Sequence, residues 1–414
     1  MKRTLSIHTL GSQGHGVAQL DGKTVYVPYT LAGDEVEVKV KHSRKGTEVK
    51  LVQVLIPGAA RQTPPCPYFG SCGGCTLQHL EATTYADFKQ NHVTDTLAKR
   101  GFKNIPLQPT INTPAQSRRR IRLALRQTAG SLVMGFQAFR SHHIIDINSC
   151  AVTHPDLTKL LQPLRKALRP LLPQGQQVDV QLTLSDTGVD MLVDGDWQLD
   201  LHMRESLAEL AHTLDLARLV VRNGSFDDPV AIRRTPTIVL GGVNVPLPVG
   251  AFLQASREST QALTDLVESA LVDVDGKVID LFSGLGTFSL PLLQSHTVHA
   301  VESGADALAA QQAAAHGLPL STEVRDLFFA PLMPDELAQY AAVVLDPPRA
   351  GAQAQAEQLA ASQVPVIVYV SCSPSTFARD ARLLVDAGYI LEKLTPVDQF
   401  LWSAHTEVVG IFKR

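Results

Sequence analysis

Hydrophobic and polar residues alternate in short runs over the first 57 residues of the chain. These runs predict strands at 17–20, 24–28, 35–40 and 51–55, and Asp21-Gly22 gives the turn of a hairpin between the first two. Alternation with a period of two is typical of strands that bury one face. Several short strands in so few residues indicate a small barrel of the OB type, a fold that often binds nucleic acids.

The pattern changes twice further along the chain. A helical stretch from 79 to 100 ends at Gly101, and 112–250 is then mostly strands and turns with one helix between Pro155 and Leu168. From Ser256 onward, helices near 257–272, 304–315 and 376–387 alternate with apolar strands at 278–282, 297–302, 341–346 and 364–370. This alternation predicts a parallel α/β sheet.

Composition limits the class of protein. The 414 residues suggest two or three domains, and a hydrophobic content of 44% is enough to fill their cores. The N-terminus lacks the apolar run of a signal peptide, and no stretch is long and apolar enough to cross a bilayer. We therefore expect a cytoplasmic protein whose cysteines stay reduced, which favours metal binding or catalysis over disulfides.

Four of the five cysteines form a candidate metal site. Cys66, Cys72 and Cys75 have the spacing C-x5-C-x2-C in a glycine-containing loop, and Cys150 follows much later. Four thiolates suit either Zn²⁺ or a [4Fe–4S] cluster. Structural zinc sites usually pair two short C-x-x-C-like motifs, whereas here three ligands come from one loop, so the spacing favours the iron–sulfur cluster. Zinc, or thiols that bind no metal, are the alternatives.

A glycine turn after an apolar strand marks a candidate nucleotide pocket. Asp280 lies near the end of the strand at 278–282, and Gly284 and Gly286 let a ligand approach the backbone closely. Glu302, at the end of the next strand, is placed to accept both hydroxyls of a ribose. A dinucleotide fingerprint would need a third glycine where Ser289 stands. The pocket therefore fits S-adenosylmethionine better than NAD, with a plain turn and a surface glutamate as the alternative.

Three later segments carry candidate chemistry. Asp346-Pro-Pro-Arg349 follows a buried strand, where α/β sheets bind ligands, and Arg349 stands where methyltransferases of amino groups commonly have an aromatic residue. Cys372 lies between a strand and a predicted helix that starts near Pro374, a position that favours the thiolate. Glu407 is a candidate general base. A buried structural cysteine and a surface acid are the plainer interpretations.

Basic residues are concentrated in two segments, although the net charge is −3. Between 115 and 144 there are six arginines and no acid, and the second group comprises Lys39, Lys41, Arg44, Lys45 and Lys50. Such patches on a near-neutral protein fit a polyanion bound on one face, with an ordinary solvated face as the alternative. The candidates for contacts to this polyanion are Arg118, Arg119, Arg120, Arg122, Lys39 and Lys41.

Taken together, these motifs resemble the RNA 5-methyluridine methyltransferase family over almost the whole chain. Phe252-Leu-Gln254 resembles its Phe-x-Gln cofactor motif, the segment from 370 to 380 its nucleophile signature, and His405-x-Glu407 its general-base motif. The N-terminal barrel looks like a TRAM domain, and the polyanion would be RNA. The resemblance implies a [4Fe–4S] cluster on Cys66, Cys72, Cys75 and Cys150. It also implies S-adenosylmethionine binding by Gln254, Phe282, Gly284, Thr287, Glu302, Asp326 and Asp346.

The implied reaction is methylation of uracil C5. A thiolate from Cys372 would add to C6 and make C5 nucleophilic enough to take the methyl group, and Glu407 would then remove the C5 proton and allow elimination. The target base must leave its stack to be reached. The chain departs from the usual family residues at four places, namely Ser373, Ser256, Ser283 and the segment Ala-Ala-Ala-His316-Gly317. Because the nucleophile, acid and cluster ligands are retained, these departures bear on the substrate more than on the reaction.

We thus predict an α/β protein of three parts. These are a TRAM-like OB barrel at 1–57, a mainly β iron–sulfur and RNA-binding domain at 58–78 and 112–250, and a Rossmann-like methyltransferase domain at 79–111 and 251–414. We expect a monomer without an obligate protein partner. Within the family, the presence of both barrel and cluster favours 23S rRNA over tRNA as the substrate.

Three other functions compete with this interpretation. A non-catalytic RNA-binding or ribosome-assembly factor would have no use for Cys372 and Glu407. An iron–sulfur redox enzyme with a nucleotide cofactor would be expected to have the third glycine and further cysteines. A Cys–His hydrolase using Cys372 and His405 would leave the nucleotide pocket without a role.

Overall fold

The computed structural model describes residues 1–43 and 46–414, so Arg44 and Lys45 of the predicted basic group lie outside the described residues. The strands are β1 (Lys2–Ser6), β2 (Thr9–Leu10), β3 (Gly16–Leu20), β4 (Lys23–Val27), β5 (Glu35–Ser43), β6 (Gly46–Ile56), β7 (Ile111–Asn112), β8 (Arg120–Gln127), β9 (Leu132–Gln137), β10 (Ile144–Asp146), β11 (Gln177–Ser185), β12 (Gly188–Asp194), β13 (Arg218–Asn223), β14 (Phe226–Ile232), β15 (Thr237–Leu240), β16 (Val243–Pro246), β17 (Val278–Leu281), β18 (Val298–Glu302), β19 (Leu320–Val324), β20 (Ala342–Leu345), β21 (Val366–Ser371), β22 (Ile390–Asp398) and β23 (Glu407–Lys413). The helices are α1 (Ala82–Ala98), α2 (Pro155–Thr158), α3 (Leu161–Leu168), α4 (Leu201–Thr213), α5 (Arg257–Leu271), α6 (Ser289–Leu292), α7 (Ala305–Ala314), α8 (Pro334–Leu337), α9 (Gln353–Ala361) and α10 (Pro374–Asp386). Across this described part of the chain, no helix combines the length and apolarity needed to span a membrane.

The N-terminal segment forms a small barrel from two three-stranded antiparallel sheets. Their orders are β1-β5-β6 and β2-β3-β4. The two sheets share one apolar core, to which the first contributes Leu5 and Val38 and the second Ala18 and Val27. Between residues 35 and 40 every second side chain enters this core, as the strict alternation predicted. The predicted barrel is therefore confirmed.

The central part is built on a seven-stranded sheet with the order β10-β9-β8-β11-β12-β13-β14. Its pairs are antiparallel except β12 with β13. Helices α3 and α4 pack on the sheet through one core that includes Leu164, Leu207 and Val180. The prediction of a single helix in 112–250 was wrong, since α4 lies there as well. Asp200 is the N-cap of α4. Few side chains of this helix are buried, so the apolar pattern that would reveal the helix in the sequence is weak.

The C-terminal part has a Rossmann-like arrangement. Its eight-stranded sheet has the order β19-β18-β17-β20-β21-β23-β22-β7. The first five strands are parallel, and four of them were predicted, whereas β19 was not. The next strand, β23, runs antiparallel to both β21 and β22. Helix α1 packs against α10 and β22 of this part. Because β23 is antiparallel, its first residue, Glu407, lies at the same edge as the carboxyl ends of β20 and β21, where such sheets bind ligands.

Candidate active site

A cavity of about 680 Å³ lies at the carboxyl edge of the eight-stranded sheet. The structure brings all nine predicted catalytic and cofactor-binding residues to its wall, although they come from segments far apart in the sequence. They are Gln254, Phe282, Gly284, Thr287, Glu302, Asp326, Asp346, Cys372 and Glu407. A single site is therefore large enough, and polar enough at defined points, to accept a nucleoside-sized ligand beside the cysteine.

The glycine turn after β17 is held by a buried carboxyl group. Phe282 and Gly284 have positive φ angles of 61° and 54°, so the chain turns sharply there. Asp280 is fully buried, and its Oδ2 accepts hydrogen bonds from the backbone N (3.0 Å) and Oγ (2.5 Å) of Ser289. Ser289, which replaces the third glycine of a dinucleotide motif, thus fixes the turn through Asp280. Burial raises the pKa of Asp280 to about 7.

Glu302 and the buried Gln311 fix the other side of this turn. The Oε2 atom of Glu302 accepts from Gly284 N at 3.1 Å and its Oε1 from Gly304 N at 2.9 Å. Gln311 donates to Ser283 Oγ at 2.9 Å and to the Gly284 carbonyl at 2.7 Å. The serine that replaces a common family residue at 283 therefore has a defined partner. Sequence reasoning missed Gln311, because its partners belong to a different element.

Aromatic side chains line the part of the cavity next to Asp326. The Oδ1 atom of Asp326 accepts from Phe328 N at 2.9 Å, and the ring centroids of Phe328 and Phe282 are 5.5 Å apart. Both rings line the cavity. Phe328 was not predicted as a site residue. The carboxylate and the two rings make this end suitable for a purine base, which needs both a flat apolar contact and a polar edge.

The half-buried Asp346 and the buried Glu407 carry neighbouring carboxyl groups. Gln254 Nε2 donates to Asp346 Oδ2 at 3.0 Å, and Gln399 Nε2 donates to Glu407 Oε2 at 2.5 Å. Burial raises the pKa of Glu407 to about 7, and burial together with Glu407 raises that of Asp346 well above its usual value. Two neighbouring carboxyl groups in a dry site resist joint ionisation. The pair therefore holds a proton near neutral pH.

Cys372 lies between β21 and α10 and lines the same cavity. Burial and the carboxyl groups of Glu407 and Asp346 together raise the pKa of its thiol to about 12, while Arg349 acts in the opposite direction. The prediction that the position before a helix favours the thiolate was therefore wrong. Desolvation and two neighbouring carboxyl groups outweigh the helix N-terminus.

His405 belongs to a different environment from Cys372. Its Nδ1 lies 2.9 Å from Arg349 Nη2, and it lines the neighbouring cavity rather than the one that contains the thiol. Burial and Arg349 lower the pKa of His405 to about 4, so its imidazole is neutral. Because its ring faces a guanidinium, the geometry does not support a Cys–His hydrolase.

The four other cysteines line a second cavity of about 440 Å³, which shares Gln399 and Phe400 with the first. They are Cys66, Cys72, Cys75 and Cys150. Burial, assisted by the three neighbouring thiols, raises the pKa of Cys75 to about 12. Over residues 1–43 and 46–414, however, no three His, Cys, Asp or Glu side chains are arranged to hold a metal ion. The structure therefore brings the predicted ligands to one cavity, and the predicted cluster itself is not confirmed.

The predicted RNA-binding arginines have different environments. Arg119 is 5% exposed and donates to the Gln254 carbonyl at 3.3 Å and to Thr260 at 3.0 Å, so its assignment to RNA was wrong. Burial lowers its pKa to about 10. Sequence charge does not reveal which arginines face inward.

The other three predicted arginines each have a partner within the protein. Arg118 donates to the Arg120 carbonyl, Arg120 donates to Gln181, and Arg122 donates to Asp179 and Asp194.

The predicted lysines lie on the outer face of the barrel. Lys39 and Lys41 are exposed on one face of β5, and Lys39 is directly opposite Lys2 of β1 and Lys50 of β6. Like charges directly opposite each other in a sheet repel. Glu37 offsets part of this repulsion, because its Oε2 lies 2.8 Å from Lys2 Nζ. The remaining positive charge of the row is suited to a bound polyanion.

Two of the unusual serines cap helices at the site. Ser256 is the N-cap of α5, and its Oγ accepts from Ser259 N at 3.0 Å. Ser373 is the N-cap of α10, and its side chain accepts from Thr376 N at 3.5 Å. Serine is among the preferred residues for this position. These departures from the family pattern therefore preserve the local backbone.

The strand order, the glycine turn and the acids at successive strand ends define a methyltransferase with a Rossmann-like catalytic domain. The TRAM domain family matches residues 2–47, and the tRNA (uracil-5-)-methyltransferase family matches residues 320–414. The chain is similar, over 98% of its length and 88% of the relative, to the 23S rRNA (uracil(1939)-C(5))-methyltransferase RlmD of Halomonas elongata, at 36% identity. An uncharacterized RNA methyltransferase of Brucella suis is 40% identical, with 99% of this chain and 97% of that relative covered.

Among solved structures, the Pyrococcus abyssi tRNA (uracil-54, C5)-methyltransferase in complex with S-adenosyl-L-homocysteine has the same fold. The match covers 99% of both chains with a TM-score of 0.76 at 24% identity. The chain therefore belongs to the RNA (uracil-5-)-methyltransferase family, and it is an S-adenosylmethionine-dependent enzyme.

Proposed function

We propose that this enzyme methylates C5 of a uridine in RNA by covalent catalysis, with Cys372 as the nucleophile and Glu407 as the general base. The supporting observation is that these two side chains line one cavity with all seven candidate cofactor residues. Cys372 follows β21, and the antiparallel β23 brings its first residue, Glu407, to the edge where Cys372 lies.

The residues divide the reaction between them. S-adenosylmethionine, when bound, supplies an electrophilic methyl group. The Cys372 sulfur forms a bond to uracil C6, and the electron pair of the C5–C6 double bond moves toward O4, so that C5 becomes nucleophilic. After C5 has been methylated, Glu407 takes the C5 proton. The electron pair of the broken C–H bond restores the C5–C6 double bond, and the C6–S bond breaks to return the thiolate.

The pKa values of Glu407 and Cys372 bear on these two roles in different ways. Glu407, with a pKa raised to about 7 by burial, is partly ionised at neutral pH and can accept a proton. Burial and the neighbouring carboxyl groups favour the thiol form of Cys372, so its proton must leave to solvent before the sulfur attacks C6. Arg349, which opposes the rise of the Cys372 pKa, is the cation that favours this ionisation.

The test uses two variants that fail at different steps. C372A should bind S-adenosylmethionine but give no methyl transfer and no covalent RNA complex. E407Q should form the complex and transfer the methyl group but release product about 10²–10⁴-fold more slowly, so that a complex stable to denaturation accumulates. Methyl transfer by C372A, or rapid product release by E407Q, would contradict the proposal.

We propose 23S rRNA as the substrate class. The support is the relative named as a 23S rRNA enzyme, which is similar over nearly the whole chain, and the TRAM match at the N-terminus. The tRNA enzyme of Pyrococcus abyssi supports only the fold at its lower identity. Methylation of tRNA is therefore the competing outcome that a substrate assay must include.

We also propose that Cys66, Cys72, Cys75 and Cys150 hold a [4Fe–4S] cluster. The donor set fits, because four soft thiol ligands line one cavity and Gly74 N donates to Cys72 Sγ at 3.4 Å, a type of contact that cluster sulfurs also accept. The cluster would tie the loop at 66–75 to the central sheet through Cys150.

Metal analysis of protein purified without oxygen tests this assignment. We expect about four iron atoms and matching sulfide per chain. A single replacement, C150A, should remove most of the iron, whereas C372A should leave it bound and serves as the matched cysteine control. Stoichiometric zinc with no sulfide, or no bound metal, would contradict the proposal.

A further inference from the structure

Gln399 contacts the proposed general base directly, although no motif pointed to it. It follows β22 immediately and is 6% exposed. Its Nε2 donates to Glu407 Oε2 at 2.5 Å, and its Oε1 accepts from Ala255 N at 3.3 Å. The side chain therefore bridges the base and the segment that follows Gln254.

The two contacts fix which way the amide points. A backbone N–H can only donate, so the group that faces Ala255 is the amide oxygen, and the group that faces Glu407 is the amide nitrogen. Gln399 thus presents a donor to the carboxylate. A donor stabilises the ionised form of a carboxyl group more than its neutral form.

The surroundings of Gln399 hold it in place. The preceding residue, Asp398, is buried and accepts from Tyr85 OH at 2.5 Å, and its Oδ1 lies 2.7 Å from Lys89 Nζ. These partners belong to α1, so Gln399 is anchored on one side by a helix and on the other by Ala255.

Glu407 shares its site with other ionisable groups. Asp346 and Cys372 disfavour a negative charge there, Asp280 disfavours charge on Asp346, and Arg349 acts on Cys372 as the opposing cation. Asp346 has its own donor in Gln254, at the longer distance of 3.0 Å, and it faces Asp280 as well. Gln399 therefore favours charge on Glu407 rather than on Asp346.

We propose that Gln399 is a positioning residue, which holds the Glu407 carboxylate in one orientation and keeps it the ionised member of the Asp346–Glu407 pair. This inference rests on the proposed function, since it assigns Gln399 a role in the proton-transfer step. Removing the donor should slow the release of methylated RNA at low pH and leave the earlier steps largely unchanged.

The test is the rate at which the covalent RNA complex decays after methyl transfer, measured from about pH 5.5 to about pH 9. This range lies above the ordinary pKa of a glutamate and extends to both sides of the raised Glu407 pKa of about 7. Q399M removes the amide donor and keeps the length of the side chain. We expect decay to be roughly tenfold slower than wild type near the acid end of this range and to recover as the pH rises, because Glu407 needs a higher pH to ionise. In E407Q the decay should stay slow at every pH.

A buried glutamine outside the site provides the control. Gln355 is fully buried, and its amide pairs with both backbone groups of Leu332. Q355M should lower stability but leave the pH profile of decay unchanged, which separates a positioning role from a general loss of packing.

The outcomes separate this inference from the function on which it rests. A wild-type enzyme that forms a covalent complex, with Q399M showing the same pH profile, would overturn the role of Gln399 alone. A wild-type enzyme that forms no covalent complex with any RNA would overturn the proposed function, and the role of Gln399 with it.

Discussion

Glu407 is buried against Asp346, and burial raises its pKa to about 7, above the value that it has in an unfolded chain. At low pH the group is protonated in both states and does not affect the free energy of unfolding. As the pH rises toward 7, the unfolded chain releases the proton while the folded protein keeps it, so stability falls until the folded group ionises as well.

E407Q should therefore be more stable than wild type at about pH 8, and the difference should shrink toward about pH 5. Thermal unfolding of both proteins across this range measures the effect. Glu205, which is exposed on α4, gives the matched control E205Q. An E407Q difference that stayed constant with pH would contradict the burial of an ionisable carboxyl group at this position.

Residues in short motifs could be predicted from the sequence, whereas their partners could not. Cys372 and Glu407 were identified because strand ends and local signatures mark them, and they meet in one cavity. Gln399 and Gln311 were missed because a glutamine becomes informative only through contacts between elements. Arg119 was misassigned because a charged residue looks the same in a sequence whether it is buried or exposed.

At the scale of elements, α1 is joined to the end of β22 by a buried ion pair. Lys89 Nζ lies 2.7 Å from Asp398 Oδ1 and donates to the His405 carbonyl at 2.5 Å, and both side chains of the pair are nearly inaccessible. Tyr85 of the same helix accepts from Trp402 N at 2.8 Å. The helix thus supports the loop that leads from Gln399 to Glu407.

Removing one member of this pair should lower the free energy of unfolding strongly, because the other charge would stay buried without a partner. We expect K89M and D398N each to lower the free energy of unfolding by about 3–5 kcal/mol, and K89M/D398N to lower it by less than the sum. Denaturant unfolding measures this. The exposed pair Lys2–Glu37 is the control, and K2M should cost at most about 1 kcal/mol. Additive effects in the buried pair would contradict direct coupling.

Element order was predictable where the apolar pattern was strong. The helices α1, α5 and α10 and the strands β17, β18, β20 and β21 were found close to their observed bounds. The direction of β23 was not predictable, because no helix pattern precedes it and a buried strand has the same pattern whichever way it runs, so its antiparallel direction became clear only from its pairing. The helix α4 was missed because much of its surface is polar.

At the scale of the whole molecule, Lys2, Lys39 and Lys50 form a row across three strands of the barrel, and we propose this row as a contact surface for RNA. We expect the triple variant K2A/K39A/K50A to bind substrate RNA more weakly. Its slope of log affinity against log salt should be smaller by roughly 0.7–0.9 for each phosphate that the variant no longer neutralises. Stability should change little, because the variant also removes repulsion between the lysines.

Binding titrations at several salt concentrations test this prediction. The matched control, K99A/R100A/K103A, removes the same number of exposed charges beyond the end of α1. If both triple variants reduced affinity and slope equally, the barrel would have no special role in RNA binding.

The division into domains at 57, 78, 111 and 250, the monomeric state and the cytoplasmic location stay predictions from the sequence.

The most direct test of the proposed function is transfer of labelled methyl groups from S-adenosylmethionine to separated 23S rRNA, 16S rRNA and tRNA from cells that lack this gene. We predict label in 23S rRNA, released as 5-methyluridine on digestion, with C372A inactive on the same RNA. Label in tRNA would keep the covalent mechanism and contradict the substrate assignment. No label in any RNA, from protein purified without oxygen, would contradict the proposed function.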